Sequence, residues 1–322
     1  MRKGLKILFL PAVVVFILFQ FSMARGAELY RTPSIPGDGG SRTSITLNAG
    51  QRVDRFMWNI AGDINGRNPN ILSELTWPDL KMFALKATAR TSLEKSIYMR
   101  AWFEHGTILK GKNVDADYLG DFRTLEFSRS DNRADSGSAW DLSLGAGYRL
   151  GNVEEGLGGA EFIPMAGYSY HRQNLKITDG VQSIPPTGPF SGLDSSYSAR
   201  WRGPWVGFEA NVYGKTSSFL ASLEYHFMTD YYAEADWNLR TDFQHPRSFE
   251  HTADGSGVVF WFDSQFHLSP PLSIDVLIEG QSWKADAGVD RTFFANGAVS
   301  DTRLNEVVWS SVAIMLGVVY RF

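Results

Sequence analysis

The chain has 322 residues, no cysteine, a formal net charge of −4, and a composition that is 43% hydrophobic and 14% aromatic. This excludes a disulfide scaffold and a thiol nucleophile, and the acidic balance argues against a nucleic-acid partner.

The N-terminus carries Arg2, Lys3 and Lys6, then an apolar run from about Ile7 to Phe21, then small residues. This is the pattern of an export signal. Residues 1–26 are therefore expected to be removed, with cleavage near 24–27, leaving 27–322 as one domain. The competing interpretation, an N-terminal anchor, suffers because the run is shorter than the roughly 20 residues of a spanning helix. No later apolar run approaches that length. The remainder is either exported and soluble or crosses a membrane as strands.

Period-two segments then follow in pairs. Leu80 to Ala89 and Ile97 to Phe103 flank "RTSLEK"; Leu142, Leu144, Ala146 and Tyr148 lead into the Gly-rich "LGNVEEGLGG", and Ile163 to Tyr170 lead out. Trp205 to Tyr213 and Phe219 to Phe227 flank "GKTS", while Phe260, Phe262, Phe266 and Leu268 run to "SPP", beyond which Leu272, Ile274, Val276 and Ile278 alternate with Asp275 and Glu279 opposite. At the C-terminus Val312, Ile314, Leu316, Val318, Tyr320 and Phe322 make one wholly apolar face, as in the terminal strand of bacterial outer-membrane barrels.

Long polar stretches separate these hairpins, at about 59–76, 105–139, 173–197, 228–256 and 284–305. Four short turns, five long loops and a less regular strand near 43–58 add up to ten strands. The expected fold is thus all-β, a ten-stranded antiparallel transmembrane barrel with short periplasmic turns, long extracellular loops and both termini periplasmic. So narrow a barrel is filled by its own side chains, which places function in the loops and upper rim.

Within the second loop "KNVDADYLGD", 112–121, sets Asp115 and Asp117 one residue apart among polar neighbours. Such a pair is either a solvated loop or half of an active site. The loop "SDNRADSGS", 130–138, lacks calcium-loop spacing, and there is no zinc helix, phosphate-cradling Gly loop or nucleophile elbow. No metal or cofactor is expected.

Three segments carry a resemblance to the omptin family, outer-membrane barrels that are aspartyl-type endopeptidases. "YSARWRGPWVGFE" from Tyr197 resembles the family's Tyr–Arg–aromatic–Pro–aromatic–Gly segment. "LTWPDLKMFALKA" from Leu75 resembles its Leu-Asp-Trp strand, with Thr76 in place of the acid, and "NVDADY" resembles its Val-Asp-any-Asp-aromatic motif. By this resemblance Asp115 and Asp117 face an Asp-any-His pair across a groove and share a catalytic water. That second pair reads Asp236 and Asn238, and Asn cannot act as a general base. His105, His245 and His251 are the candidates to replace it.

Glu234 matches the family acid that selects basic residues. Tyr168, Arg172 and Arg200 match its lipopolysaccharide-binding residues, although Tyr170 departs from a Glu; girdle tyrosines and snorkelling arginines would give the same pattern. The function expected is a non-proteolytic binding or envelope-structural barrel with an acidic extracellular groove, because of Asn238. The alternative is a divergent endopeptidase acting on polypeptides, with a narrow solute channel third. The expected partners are outer-membrane lipid and lipopolysaccharide, the latter a requirement carried over from the family.

Overall fold

A computed structural model describes residues 43–93, 96–150, 153–154 and 158–322. The expected leader and parts of the "RTSLEK" and "LGNVEEGLGG" turns lie outside these residues. The strands are β1 (Thr43–Ile60), β2 (Ser73–Leu93), β3 (Ile97–Lys110), β4 (Lys112–Gly120), β5 (Thr124–Arg133), β6 (Gly137–Tyr148), β7 (Val153–Glu154), β8 (Gly158–Ile184), β9 (Gly188–Tyr213), β10 (Ser217–Asp236), β11 (Phe249–His267), β12 (Leu272–Ala285), β13 (Gly288–Phe293) and β14 (Val299–Arg321). Among the described residues no helix is long and apolar enough to cross a membrane.

Ten of these strands form a closed antiparallel ring. Its order is β1, β2, β3, β6, β8, β9, β10, β11, β12 and β14, and β14 returns to β1 from Ser44↔Arg321 to Ile60↔Leu304. A ring of this kind leaves no open edge, so every spanning backbone group has a partner without water. At the loop end β4 and β5 take over from β3 and β6, and β13 takes over from β12, continuing the wall. Much of what reads as polar loop is therefore strand. The alternation persists there, with Leu175, Ile177, Tyr231 and Ala233 among the inward residues, but polar outer positions and intervening turns break it into short pieces that hydrophobic periodicity does not reveal.

Side-chain alternation sorts the residues by face. Outward lie Ile45, Leu47, Phe83, Leu85, Leu142, Leu144, Ile314, Leu316 and Val318, all exposed, a band whose apolar area requires lipid. Inward lie charges that are almost fully paired. Arg52 donates to Asp54, Glu104 and Asp141; Arg100 pairs with Glu209 and Glu224, Lys86 with Glu279, and Arg90 with Asp263. Pairing is what permits such burial, since an isolated ion would cost several kcal/mol (~). Toward the loop end the filling becomes aromatic: Phe56, Trp58, Trp77, Tyr197, Trp201, Tyr231, Trp283 and Trp309 pack into one buried cluster.

Candidate functional site

Above the aromatic cluster β4 presents Asp115 and Asp117 on the inner face. Asp115 sits opposite Leu75 and Ser130, and Asp117 opposite Ser73 and Ser128. Cross-strand partners share a face, and Leu75 belongs to the buried core, which fixes the direction of both acids. The Ser73 and Ser128 hydroxyls beside Asp117 favour its ionised form.

The facing wall comes from the β10–β11 connection. There Trp237 and the Arg240 guanidinium both favour the ionised form of Asp115, and Arg240 acts on Asp117 as well. Trp237 is braced edge-on against Phe249 at 4.8 Å, and Arg240 forks onto Asp242 at 2.9 and 2.8 Å. Burial, then the neighbouring Asp117 charge, pushes the Asp115 carboxyl up to about 8, against the pull of Arg240 and Trp237. Burial raises Asp117 as well. Wherever Asp117 is ionised below about pH 8, Asp115 keeps its proton, so the pair can present a carboxylic acid beside a carboxylate.

The other expected members do not converge on this pair, and a bulge explains why. Leu220, Ser222, Glu224 and His226 face the interior of β10; the register shifts between His226 and Thr229, and beyond it Thr229, Tyr231, Ala233 and Ala235 face inward. One extra residue exchanges the faces of all that follow. Glu234 is thereby turned outward, accepting from the Tyr232 hydroxyl at 2.6 Å. Asp236 lies on the same outward phase and meets His245 Nδ1 at 2.6 Å. Asn238 clamps the β8–β9 tip, donating to the Gly192 carbonyl at 2.7 Å and accepting from the Asp194 N–H at 2.9 Å and the Ser195 hydroxyl at 3.1 Å. Asn238→His is accordingly expected to loosen this tip and to create no cleavage activity; peptide hydrolysis gained by that variant would place residue 238 beside Asp115 and Asp117.

No described histidine acts on Asp115 or Asp117. His105 points out of the barrel. His171 and His226 belong to the interior network, bonded to Asp141 and Glu224, and His267 is bonded to Ser218 and Ser273 near the β11–β12 turn. His251 is fully buried between Tyr197, at 2.8 Å, and Asp290, at 3.1 Å. Trp237 and Arg240 escaped sequence reasoning because their position depends on how a long connection folds back.

On the outer face Tyr168, Arg172 and Arg200 come together on adjacent strands, with Arg172 and Arg200 directly opposite each other. Arg200 lies 4.3 Å over the Tyr232 ring, Arg172 Nε donates to Asn174 Oδ1 at 2.9 Å, and Tyr170 stacks on Trp140 at 4.9 Å. Trp140 and Tyr232 complete an aromatic and basic patch whose parts are scattered in the sequence.

No curated protein matches the chain in sequence. Among solved structures, the outer membrane protease OmpT from Escherichia coli aligns with a TM-score of 0.70, over 92% of this chain and 99% of that one, at 13% identity. This likeness is one of fold. The translocator domain of the autotransporter NalP from Neisseria meningitidis reaches a TM-score of 0.33 at 9% identity, covering 97% of this chain and 98% of that one, which is too slight to argue from. Residues 46–322 match the model of the Protochlamydia outer membrane protein family, and with nearly the whole described barrel inside that match the chain belongs to this family of outer-membrane proteins.

Proposed function

We propose that this outer-membrane barrel is a divergent omptin-like protein that presents its groove at the cell surface for binding and does not cleave peptides. In this reading the long connections are extracellular and both termini periplasmic. The observation that carries it is the wall facing the aspartates: Trp237 and Arg240 stand there, and neither can accept a proton from water near neutral pH. Tyr168, Arg172 and Arg200, with Trp140 and Tyr232, suit a lipopolysaccharide phosphate, because guanidinium forks pair with its oxygens while rings lie along the headgroup.

A second reading, endopeptidase activity, has one observation behind it. Two carboxyl groups sharing a proton combine an acid and a base, so Asp115 and Asp117 could activate water without a histidine. One experiment separates the two: peptide-library cleavage by protein refolded in detergent with lipopolysaccharide, beside Asp117→Ala. The expected result is no cleavage by either folded protein. Cleavage that disappears in Asp117→Ala would overturn the binding reading and establish a hydrolase.

A further inference from the structure

The β4–β5 hairpin ends in an apolar prominence that neither the groove nor the outer-face patch uses. Phe122, Leu125 and Leu119 are 80, 72 and 65% exposed, among the most exposed large apolar side chains of the described residues, and Phe127 beside them is 44% exposed. They are not lipid-facing members of the transmembrane wall. β2 begins at Ser73, opposite Asp117, so residues 119–125 stand past the end of that neighbour at the loop end of the barrel.

Backbone conformation gives the prominence its meaning. Phe122, Arg123 and Leu125 have φ of 58, 63 and 52°, in the left-handed region that glycine or asparagine fills at less cost. Three such residues within four positions persist only where the surroundings overdetermine them, and strain of this kind clusters at functional positions. The surroundings do overdetermine them. Asn70 of the β1–β2 connection clasps the turn, donating its N–H to Asp121 Oδ1 and accepting from the Phe122 N–H, both at 2.8 Å, and Thr124 Oγ1 donates to the Asp121 carbonyl at 2.7 Å. A glycine would satisfy the same turn without a ring at its apex.

Its polar groups are already satisfied within the protein. Arg123 is paired with Glu74, Arg129 with Glu126 at 2.6 Å, and the Asp121 carboxylate is engaged by Asn70. A charged partner finds no free charge to recognise here, whereas an apolar phase can receive the tip without breaking hydrogen bonds. Being a hairpin end, it offers a wedge.

From the rigid apolar tip and the charges neutralised around it, we infer that Phe122 and Leu125, flanked by Leu119 and Phe127, insert into the acyl region of a lipid surface lying opposite the loop end of the barrel. This goes beyond groove binding and stands or falls separately from it. The test uses the protein in nanodiscs mixed with separate phosphatidylcholine vesicles, with co-flotation as the readout. The comparison is Phe122→Asn combined with Leu125→Asn, since Asn tolerates the left-handed conformation and removes both apolar groups.

The expected result is vesicle association that persists in about 0.5 M salt, where surface charges are screened, and falls on the order of a hundredfold in the double variant. The variant's thermal unfolding midpoint should be unchanged or higher, because strain is relieved. Absence of association, equal association by the variant, or loss of association in salt would each overturn the inference. So would nanodisc self-association abolished by the double variant without vesicles, which would assign the tip to a second copy of this chain.

Discussion

Arg52→Met is expected to lower the unfolding free energy of the vesicle-reconstituted barrel by about 3–5 kcal/mol, the usual cost of leaving buried partners uncompensated. Arg52 is 1% exposed and meets three carboxylates: Asp54 at 2.8 and 2.9 Å through two nitrogens, Glu104 at 2.8 Å, and Asp141 at 2.5 Å. Asp141 also holds His171 at 2.8 Å, and Asp54 accepts from the Trp309 indole at 2.9 Å. One guanidinium thus ties β1, β3, β6, β8 and β14 through a single network. Met fills similar volume, so the loss measures charge more than packing. Arg52→Lys should fall between, because an ammonium cannot fork onto Asp54 while reaching the other two acids. Adding Glu104→Gln and Asp141→Asn to Arg52→Met should restore part of the stability. Urea titration followed by tryptophan emission reads all four proteins, and a loss under about 1 kcal/mol for Arg52→Met would mean that water compensates the acids.

The position of Arg52 shows where the sequence is legible and where it stops being so. Alternation with an apolar face on one side reveals the C-terminal strand and the 272–278 strand, because Ile314, Leu316 and Val318, and Ile274 with its neighbours, contrast with what lies between them. Arg52 and Asp54 belong to the least regular strand, where Gln51 and Arg55 on the outer face blur that contrast. Ring closure fixes its phase instead, through pairing with β14 and β2.

The loop-end site is harder for a related reason. Extending the alternation of Phe219–Phe227 brings Glu234, Asp236 and Asn238 to the inner face, and the bulge between His226 and Thr229 reverses the phase before they are reached. Nothing in the composition of "FMT" announces the extra residue. Asp115 and Asp117 share the inner face because no irregularity intervenes between them in β4; the shift follows Asp117. Residue order along a chain is untouched by one inserted residue, whereas side-chain direction beyond it is inverted.

Asp115 itself is expected to make stability fall as pH rises from about 4 to about 8. In the unfolded chain a carboxyl loses its proton near the usual value of about 4, whereas Asp115 in the folded protein keeps its proton up to about 8. Across that interval the native state binds a proton that the unfolded state has released, so raising the pH favours unfolding, and above it both states are ionised and the slope vanishes. Asp115→Asn should remove most of the dependence, leaving the variant more stable than the native protein by about 2 kcal/mol near pH 9, a figure held well below the full linkage value because the carboxyl is only half-buried.

The neighbours set the signs of two further changes. Asp117→Asn removes the like charge and should move the transition to lower pH, while Arg240→Ala removes the compensating cation and should move it higher. The measurement is the unfolding midpoint of each protein across this pH range. Equal slopes in the native protein and Asp115→Asn would show that Asp115 is ionised throughout, taking away the shared proton on which the second, hydrolytic reading of the groove depends, while leaving the binding reading in place.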